Sequence, residues 1–159
     1  MKKVLSIIIL ITVAMGCASS KKTAEASTDK KMQGLQFEYT AITRGSYKKI
    51  TARPEGLTFI NGRDTQEQTV ALSTADWNTL VDVYQKDIEK KVNGLQDIEV
   101  PSKKHQYDGA LAATLTITRG DVQHRTPTFD HGNPPAQVKG LVDEMMRLAG
   151  METNNKHEN

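Results

Sequence analysis

The stretch that decides the fold is residues 107–135, which reads YDGALAATLTITRGDVQHRTPTFDHGNPP. Apolar residues alternate there with small or hydroxylated ones, the period of two expected of a strand with one buried face. The apolar positions are Leu111, Ala113, Leu115 and Ile117. Arg119-Gly120-Asp121 supplies turn residues, so residues 122–129 are predicted to return as a second strand. We expect the other elements to pack on this hairpin.

The segment before the hairpin is predicted to begin with a series of short strands. Leu35, Phe37, Tyr39 and Ala41 alternate with polar residues, as a half-buried strand requires. A tight hairpin is predicted at Asn61-Gly62. The further predicted strands are residues 47–52, 57–60 and 66–71.

A first helix is predicted from its cap and its apolar spacing. Ser73 is followed three residues later by Asp76, which resembles a capping box. Apolar residues then recur on one helical face, and Asn93-Gly94 is predicted to end the helix. These apolar residues are Trp77, Leu80, Val81, Tyr84 and Ile88.

A second helix is predicted after the hairpin, with Asn133 as its cap, Pro134 at its first position and Gly150 at its end. Its predicted buried face consists of Val138, Leu141, Val142, Met145 and Leu148. Residues 95–106 are predicted to be irregular. The order is therefore strands, helix, two strands, helix. This order predicts an α+β domain with an antiparallel sheet and both helices on one face.

The N-terminus has the organisation of a secretory signal. Lys2 and Lys3 are followed by an apolar core at residues 4–13, too short to span about 30 Å of hydrocarbon as a helix. Ala14-Met15-Gly16-Cys17 then resembles the bacterial lipobox, in which the chain is cleaved before a lipidated cysteine. The alternative is an ordinary secreted protein cleaved at a nearby small residue.

The lipobox resemblance implies a division of the chain into four parts. They are a signal peptide (1–16), the lipidated Cys17 with a flexible tether (17–34), one α+β domain (35–150) and a disordered tail (151–159). Fatty acids such as palmitate on Cys17 would hold the protein stably on a lipid bilayer, because two or more acyl chains give firm attachment. Ala18 in the next position is similar to the pattern sorted to the outer membrane, facing the periplasm or the surface, in Gram-negative cells.

Composition excludes several kinds of function. Of the 21 basic residues, Lys2 and Lys3 lie in the predicted signal peptide, which leaves 19 against 19 acidic residues. A neutral mature chain lacks the basic footprint that nucleic-acid binding requires. Cys17 is the only cysteine, which excludes an internal disulfide and a cysteine-based metal cluster. No cofactor-binding or catalytic motif is recognisable, so we predict neither a cofactor nor an enzyme.

Four residues flank the hairpin with side chains suited to metal binding or acid–base chemistry: His105, Asp108, Asp130 and His131. Antiparallel pairing would bring them toward the same end of the sheet, as two-histidine, two-carboxylate metal sites require. The alternative, which we favour, is that Asp108 and Asp130 belong to turns and that their side chains bind backbone amides. The position of His124 depends on the turn. A two-residue loop places it opposite Ile117 on the apolar face, and a loop one residue longer places it opposite Thr116.

The domain resembles the emfourin-type inhibitors of thermolysin-like metalloproteases over most of residues 35–150. The resemblance rests on a glycine-containing loop after the first strand (residues 42–46), a tryptophan-bearing helix, Tyr107-Asp108-Gly109 before a Leu-Thr-Ile strand, and a proline-initiated last helix. It implies a small inhibitor whose loops enter a protease cleft. The family's Ser-Gly-Gly-like run is represented here only by Arg44-Gly45-Ser46. The chain also resembles small uncharacterised bacterial lipoproteins.

The sequence therefore predicts a membrane-anchored lipoprotein with a non-enzymatic interaction domain and a protein partner in the cell envelope. The alternatives are an emfourin-like protease inhibitor and a metal-dependent hydrolase that uses His105, Asp108, Asp130 and His131. Recognition is expected on loops that a rigid sheet positions. The residues predicted to contact a partner are Arg44, Gly45, Ser46, Tyr47, Tyr107, Asp108, Asp130 and His131.

Overall fold

The computed structural model describes residues 34–151, which form a sheet of seven strands and two α-helices. The elements are β1 (Leu35–Ile42), β2 (Tyr47–Arg53), β3 (Gly56–Asn61), β4 (Gln68–Val70), α1 (Thr74–Asp87), β5 (Ala112–Arg119), β6 (Val122–Arg125), β7 (Phe129–Asp130) and α2 (Ala136–Leu148). Two 3₁₀ segments, Glu89–Asp97 and Lys104–Tyr107, connect α1 to β5. The predicted signal peptide, Cys17, nearly all of the tether and residues 152–159 lie outside the described residues. Within them, no helix is long and apolar enough to cross a bilayer.

The sheet is antiparallel throughout, in the order β4-β3-β2-β1-β5-β6, and β7 pairs with the other half of the same edge of β5. The first strand lies in the middle because β5, formed after α1, pairs with it along its whole length. The alternation predicted for β1 is confirmed, since Leu35, Phe37, Tyr39 and Ala41 are buried and the residues between them are not. The predicted α+β class with an antiparallel sheet is confirmed.

Both helices pack on the face of the sheet that carries these apolar residues. The Phe37 ring centroid lies 5.7 Å from that of Trp77 and 5.5 Å from that of Tyr84 on α1. The helices are antiparallel neighbours, because Asp76 at the start of α1 is 3.5 Å from Arg147 at the end of α2. The opposite face of the sheet carries a polar cross-strand row of Thr69, Thr58, Thr51, Glu38, Thr116 and Arg125.

The returning strand predicted at residues 122–129 is interrupted. Residues 126–128 leave the ladder between β6 and β7, and Pro127 has no amide hydrogen to donate to β5. Thr126 bridges the gap instead, because its amide donates to the Leu115 carbonyl (3.0 Å) and its hydroxyl accepts from the Leu115 amide (3.1 Å).

The predicted ends of the first helix are half right. Ser73 caps α1 and accepts from the Asp76 amide, as predicted (3.1 Å). The helix, however, ends at Asp87 and not at Asn93-Gly94, because Ile88 leaves helical geometry at φ −120° and stays in the core at 2 % exposure. Gly94 lies inside the following 3₁₀ segment.

The predicted start of the second helix is wrong. Pro134 precedes Pro135, and a residue before proline is disfavoured in the helical region. Pro135 itself is extended (φ −53°, ψ 142°), so α2 begins at Ala136. The amide group of Asn133, the predicted cap, donates to the Ser102 hydroxyl (2.8 Å). On α2, Met146 is buried, whereas the predicted Leu148 is half-buried.

Two smaller boundaries also differ from expectation. The Asn61-Gly62 pair begins a connection that runs from residue 62 to residue 67, so β4 is confined to three residues. At the C-terminal end, Gly150 closes α2 at φ +61°, as predicted. Met151, which the sequence assigns to the tail, is 6 % exposed, and its amide donates to the Met146 carbonyl (2.9 Å).

Candidate functional site

The predicted contact residues form two groups, and both groups lie at the same end of the sheet. One group is residues 44–47, and the other is Tyr107 and Asp108 with Asp130 and His131. Ile42 at the end of β1 faces Tyr47 on β2 and Ala112 on β5, and Ala112 in turn faces Asp130 on β7. The connections that meet at this end are residues 43–46, 62–67, 104–111 and 131–133. We call this end of the strands the loop end.

The chain enters the domain at the opposite end of the strands. Gly34, directly before β1, accepts a hydrogen bond through its carbonyl from the Gly120 amide (3.2 Å) in the β5–β6 turn. We call it the entry end. β1 has eight residues, so at about 3.3 Å per residue the two ends are about 26 Å apart.

The β1–β2 connection at the loop end is short and internally bonded. The Thr43 amide donates to the Ser46 carbonyl (2.9 Å), and the Gly45 amide approaches the Thr43 hydroxyl at 3.3 Å. Arg63 reaches across from the β3–β4 connection and donates to the Thr43 carbonyl (2.5 Å). Arg44 and Gly45 are exposed. These hydrogen bonds therefore order the backbone of the connection that carries the exposed Arg44 and Gly45.

Asp130 fastens a second connection to the loop end. It is 2 % exposed, and each of its carboxylate oxygens accepts two hydrogen bonds. Oδ1 accepts from the His105 amide (2.7 Å) and lies 2.6 Å from His105 Nδ1. Oδ2 accepts from the Lys104 amide (2.9 Å) and from the Ser102 hydroxyl. The backbone-binding role that we favoured for Asp130 is thus what this carboxylate performs.

The charge of Asp130 determines which ring nitrogen of His105 carries the proton. Burial alone would raise the pKa of Asp130, but the hydrogen bonds from Ser102, His105 and Lys104 outweigh it and hold that pKa well below its usual range. An ionised carboxylate only accepts, so the His105 proton lies on Nδ1. Among the described residues, no hydroxyl or thiol is hydrogen-bonded to the His105 ring. The cluster therefore resembles the base and orienting carboxylate of a catalytic triad without a nucleophile.

His131 and Asp108 do not join this cluster. His131 Nδ1 lies 2.6 Å from the hydroxyl of Tyr39, and both side chains line a cleft of about 410 Å³ beside α2. Burial, with a smaller contribution from Lys48, lowers the pKa of His131. Asp108 is exposed in a left-handed turn conformation (φ 56°). Within residues 34–151, no three His, Cys, Asp or Glu side chains are placed to share a metal ion.

The hairpin register that the sequence left open is now settled. Arg119 pairs with Val122 across a two-residue Gly120-Asp121 turn, so His124 lies opposite Ile117. It is half-buried at the edge of the sheet, far along β6 from the loop end. His124 thus belongs to neither group of candidate residues.

Several residues of the loop end were not predicted from the sequence. Tyr107 was predicted and is 84 % exposed, whereas Ile42, at 47 %, was placed in the predicted loop at residues 42–46 but not among the contact residues. Arg63 and Ser102 gave no local signal, because each acts through a partner 20 or 28 positions away. The loop end has to be interpreted from its own chemistry, since no protein-family model, curated protein or solved structure matches this chain.

Proposed function

We propose that this chain is a cell-envelope lipoprotein, anchored through acylated Cys17, whose domain binds a protein partner with its loop end. The observation that carries the proposal is the placement of the two ends. The chain enters β1 beside Gly120, whereas the exposed connections lie about 26 Å away along the strand. A tether attached before Gly34 would leave the loop end free to face the aqueous compartment.

The construction of the loop end supports a binding role. Arg63 holds the β1–β2 connection, and Asp130 holds the segment that carries Lys104 and Tyr107. The backbone of a connection that is already ordered loses little conformational entropy when a partner binds. Tyrosine and arginine are also the residues that most often dominate binding energy in protein interfaces.

The anchoring part of the proposal is tested by a Cys17→Ser substitution in the native host. We expect the variant to move from the membrane to the soluble fraction, because the acyl chains are what hold the protein to the bilayer. Mass spectrometry of the wild-type protein should find fatty acids on Cys17. An unmodified sulfur on Cys17, or unchanged membrane association of the variant, would refute the anchor. In Gram-negative cells we expect the wild-type protein in the outer membrane.

The binding part is tested by photo-crosslinking in intact cells. A photoreactive amino acid replaces Arg44 or Tyr107 at the loop end, and matched variants carry it at Glu55 or Asp121, which lie in turns at the entry end. We expect one protein to be captured from both loop-end positions and not from the entry-end positions. Capture of the same protein from the entry end alone would contradict the proposal.

Protease inhibition is the second candidate, and the exposed β1–β2 connection favours it. Arg44 and Gly45 project from a loop that Arg63 supports, a geometry suited to insertion into a cleft. The experiment is inhibition of a thermolysin-like metalloprotease by the Cys17→Ser chain. Tight inhibition that Arg44→Ala weakens would make the partner a protease. No inhibition at micromolar concentration would remove this candidate.

A further inference from the structure

We infer that His105 binds a divalent transition-metal ion, Cu²⁺ in preference to Zn²⁺, through its Nε2 atom in an open site to which Glu99 contributes a second ligand. The inference goes beyond the proposed function and does not rest on it, since binding of a protein partner requires no metal. It starts from a ring nitrogen whose lone pair is not used by the fold.

The two nitrogens of the His105 ring have different surroundings. Nδ1 lies 2.6 Å from Asp130 Oδ1, and because an ionised carboxylate only accepts, Nδ1 carries the proton and Nε2 of the neutral ring keeps a lone pair. Nε2 has no hydrogen-bond partner among residues 34–151. It is not buried either, because Arg119 Nε is the one buried side-chain nitrogen or oxygen atom in that range without a partner.

The lone pair of Nε2 is accessible from a cleft. The His105 ring lines a cleft of about 590 Å³ between residues 98–106 and the Pro127-Thr128 pair. Its side chain is 10 % exposed, and Asp130 covers the side of the ring that carries Nδ1. The accessible side of the ring is therefore the side that carries Nε2. The other polar residues that line the cleft are Glu99, Lys103, Gln106 and Thr128.

Asp130 gives His105 the outer contact that metal-binding histidines have. Such a histidine almost always donates its second ring N–H to a carboxylate or a carbonyl, which fixes the tautomer and makes the ligating nitrogen more basic. Asp130 Oδ1 also accepts from the His105 amide (2.7 Å), so the backbone and the ring are both positioned before an ion binds. Asp130 itself is not a ligand, because it is 2 % exposed and both of its oxygens are already hydrogen-bonded.

The ligands available in the cleft favour Cu²⁺. Glu99 is exposed and carries the one carboxylate among the described residues that line the cleft. Within residues 34–151, no three His, Cys, Asp or Glu side chains converge, so water has to complete the coordination. With so few protein ligands, the intrinsic affinity of the ion decides occupancy, and among first-row divalent ions Cu²⁺ has the highest affinity for nitrogen and oxygen ligands.

Two features of the cleft bear on other occupants. Lys103 carries a positive charge that opposes a cation, but its side chain is exposed and extends its ammonium group into water. A histidine paired with a carboxylate is also the arrangement of a catalytic base, which acts on a nucleophile in contact with it. Among the described residues no nucleophile contacts His105, so metal binding is the chemistry that the ring supports without a further protein group.

The experiment is a titration of the Cys17→Ser chain with Cu²⁺, followed by pulsed electron paramagnetic resonance. This chain has no cysteine, so no thiol competes for the ion or reduces it. We expect the tightest site to show one coordinated imidazole. His105→Gln should abolish that signal, whereas the matched control His124→Gln, on β6, should leave it unchanged. Circular dichroism verifies that each variant retains the fold.

Two further variants test the other parts of the site. Glu99→Gln changes an exposed side chain and should weaken binding of Cu²⁺ without changing the fold. Asp130→Asn should weaken binding by about 10- to 100-fold, the usual effect of removing the outer partner of a ligating histidine. An equimolar amount of Zn²⁺ should not displace Cu²⁺ from the parent chain.

Each assignment has an outcome that would overturn it. A parent chain whose tightest copper site contains no imidazole would overturn the inference without any variant, and so would a signal that His105→Gln leaves unchanged. Unchanged affinity of Glu99→Gln would overturn the second ligand. Displacement of Cu²⁺ by equimolar Zn²⁺ would overturn the preference for copper.

Discussion

At each end of the sheet, one charged side chain forms hydrogen bonds to a 3₁₀ segment. The two side chains differ in how completely they are hydrogen-bonded. At the loop end, the Asp130 carboxylate is buried and accepts four hydrogen bonds. At the entry end, Arg119 Nη2 donates to the Tyr84 hydroxyl (2.7 Å) and to Glu89 (2.8 Å). Its buried Nε has no hydrogen-bond partner within the described part of the chain.

This difference indicates which connection the fold holds more firmly. Burying a carboxylate costs free energy that only a complete set of donors offsets, so the Asp130 cluster works as a unit. The Arg119 side chain is 35 % exposed, and its guanidinium also lies 5.6 Å from the centre of the Tyr84 ring. Water screens the ion pair, and part of the stabilisation comes from stacking.

The largest effect is expected from removal of the buried carboxylate. Asp130→Ala should lower the free energy of unfolding by about 3–5 kcal/mol, because it leaves the part-buried donors of Ser102, Lys104 and His105 without their acceptor. Urea unfolding of the Cys17→Ser chain measures the loss. Asp121→Ala, in an exposed turn, is the control and should change stability by less than about 0.5 kcal/mol. A loss below about 1 kcal/mol for Asp130→Ala would show that the hydrogen bonds of Asp130 contribute little to the stability of the fold.

A smaller effect is expected at the entry end. Arg119→Met removes the bonds to Tyr84 and Glu89 but keeps an unbranched side chain against the Tyr84 ring. The expected loss is about 1–2 kcal/mol in the same urea experiment. If Arg119→Met cost as much as Asp130→Ala, the contrast between the two ends would be wrong.

The smallest effect is a change with pH. The pKa of Asp130 is lowered in the folded chain, so its stabilisation is present above the ordinary value of about 3.9 and is lost as pH falls below it. The stability difference between Asp130→Asn and the parent chain should therefore narrow below about pH 4. The difference for Arg119→Met should change less there. A gap for Asp130→Asn that stays constant down to pH 3 would contradict the lowered pKa.

Local signals predicted much of the fold and only part of the site. The alternation at Phe37 and Tyr39 and the Ser73 cap were sufficient for β1 and for the start of α1. At the site, the sequence indicated that His105 and Asp130 approach the same end, and they are in contact. It also grouped His131 with them, but the hydroxyl of Tyr39, 92 positions away, holds that ring.

The sequence by itself determined most of the residues that face the core, because burial in a strand or helix repeats with a period of a few residues. It also determined where α1 begins, since a cap bonds an amide only three positions away. Only the tertiary structure decided that the Asp130 carboxylate would accept from Ser102 and Lys104, and that Arg44 and Lys104 would share one edge of the sheet. Hydrogen bonds and charge clusters of this kind join residues that are distant along the chain, and no local pattern encodes the strand order that brings them together.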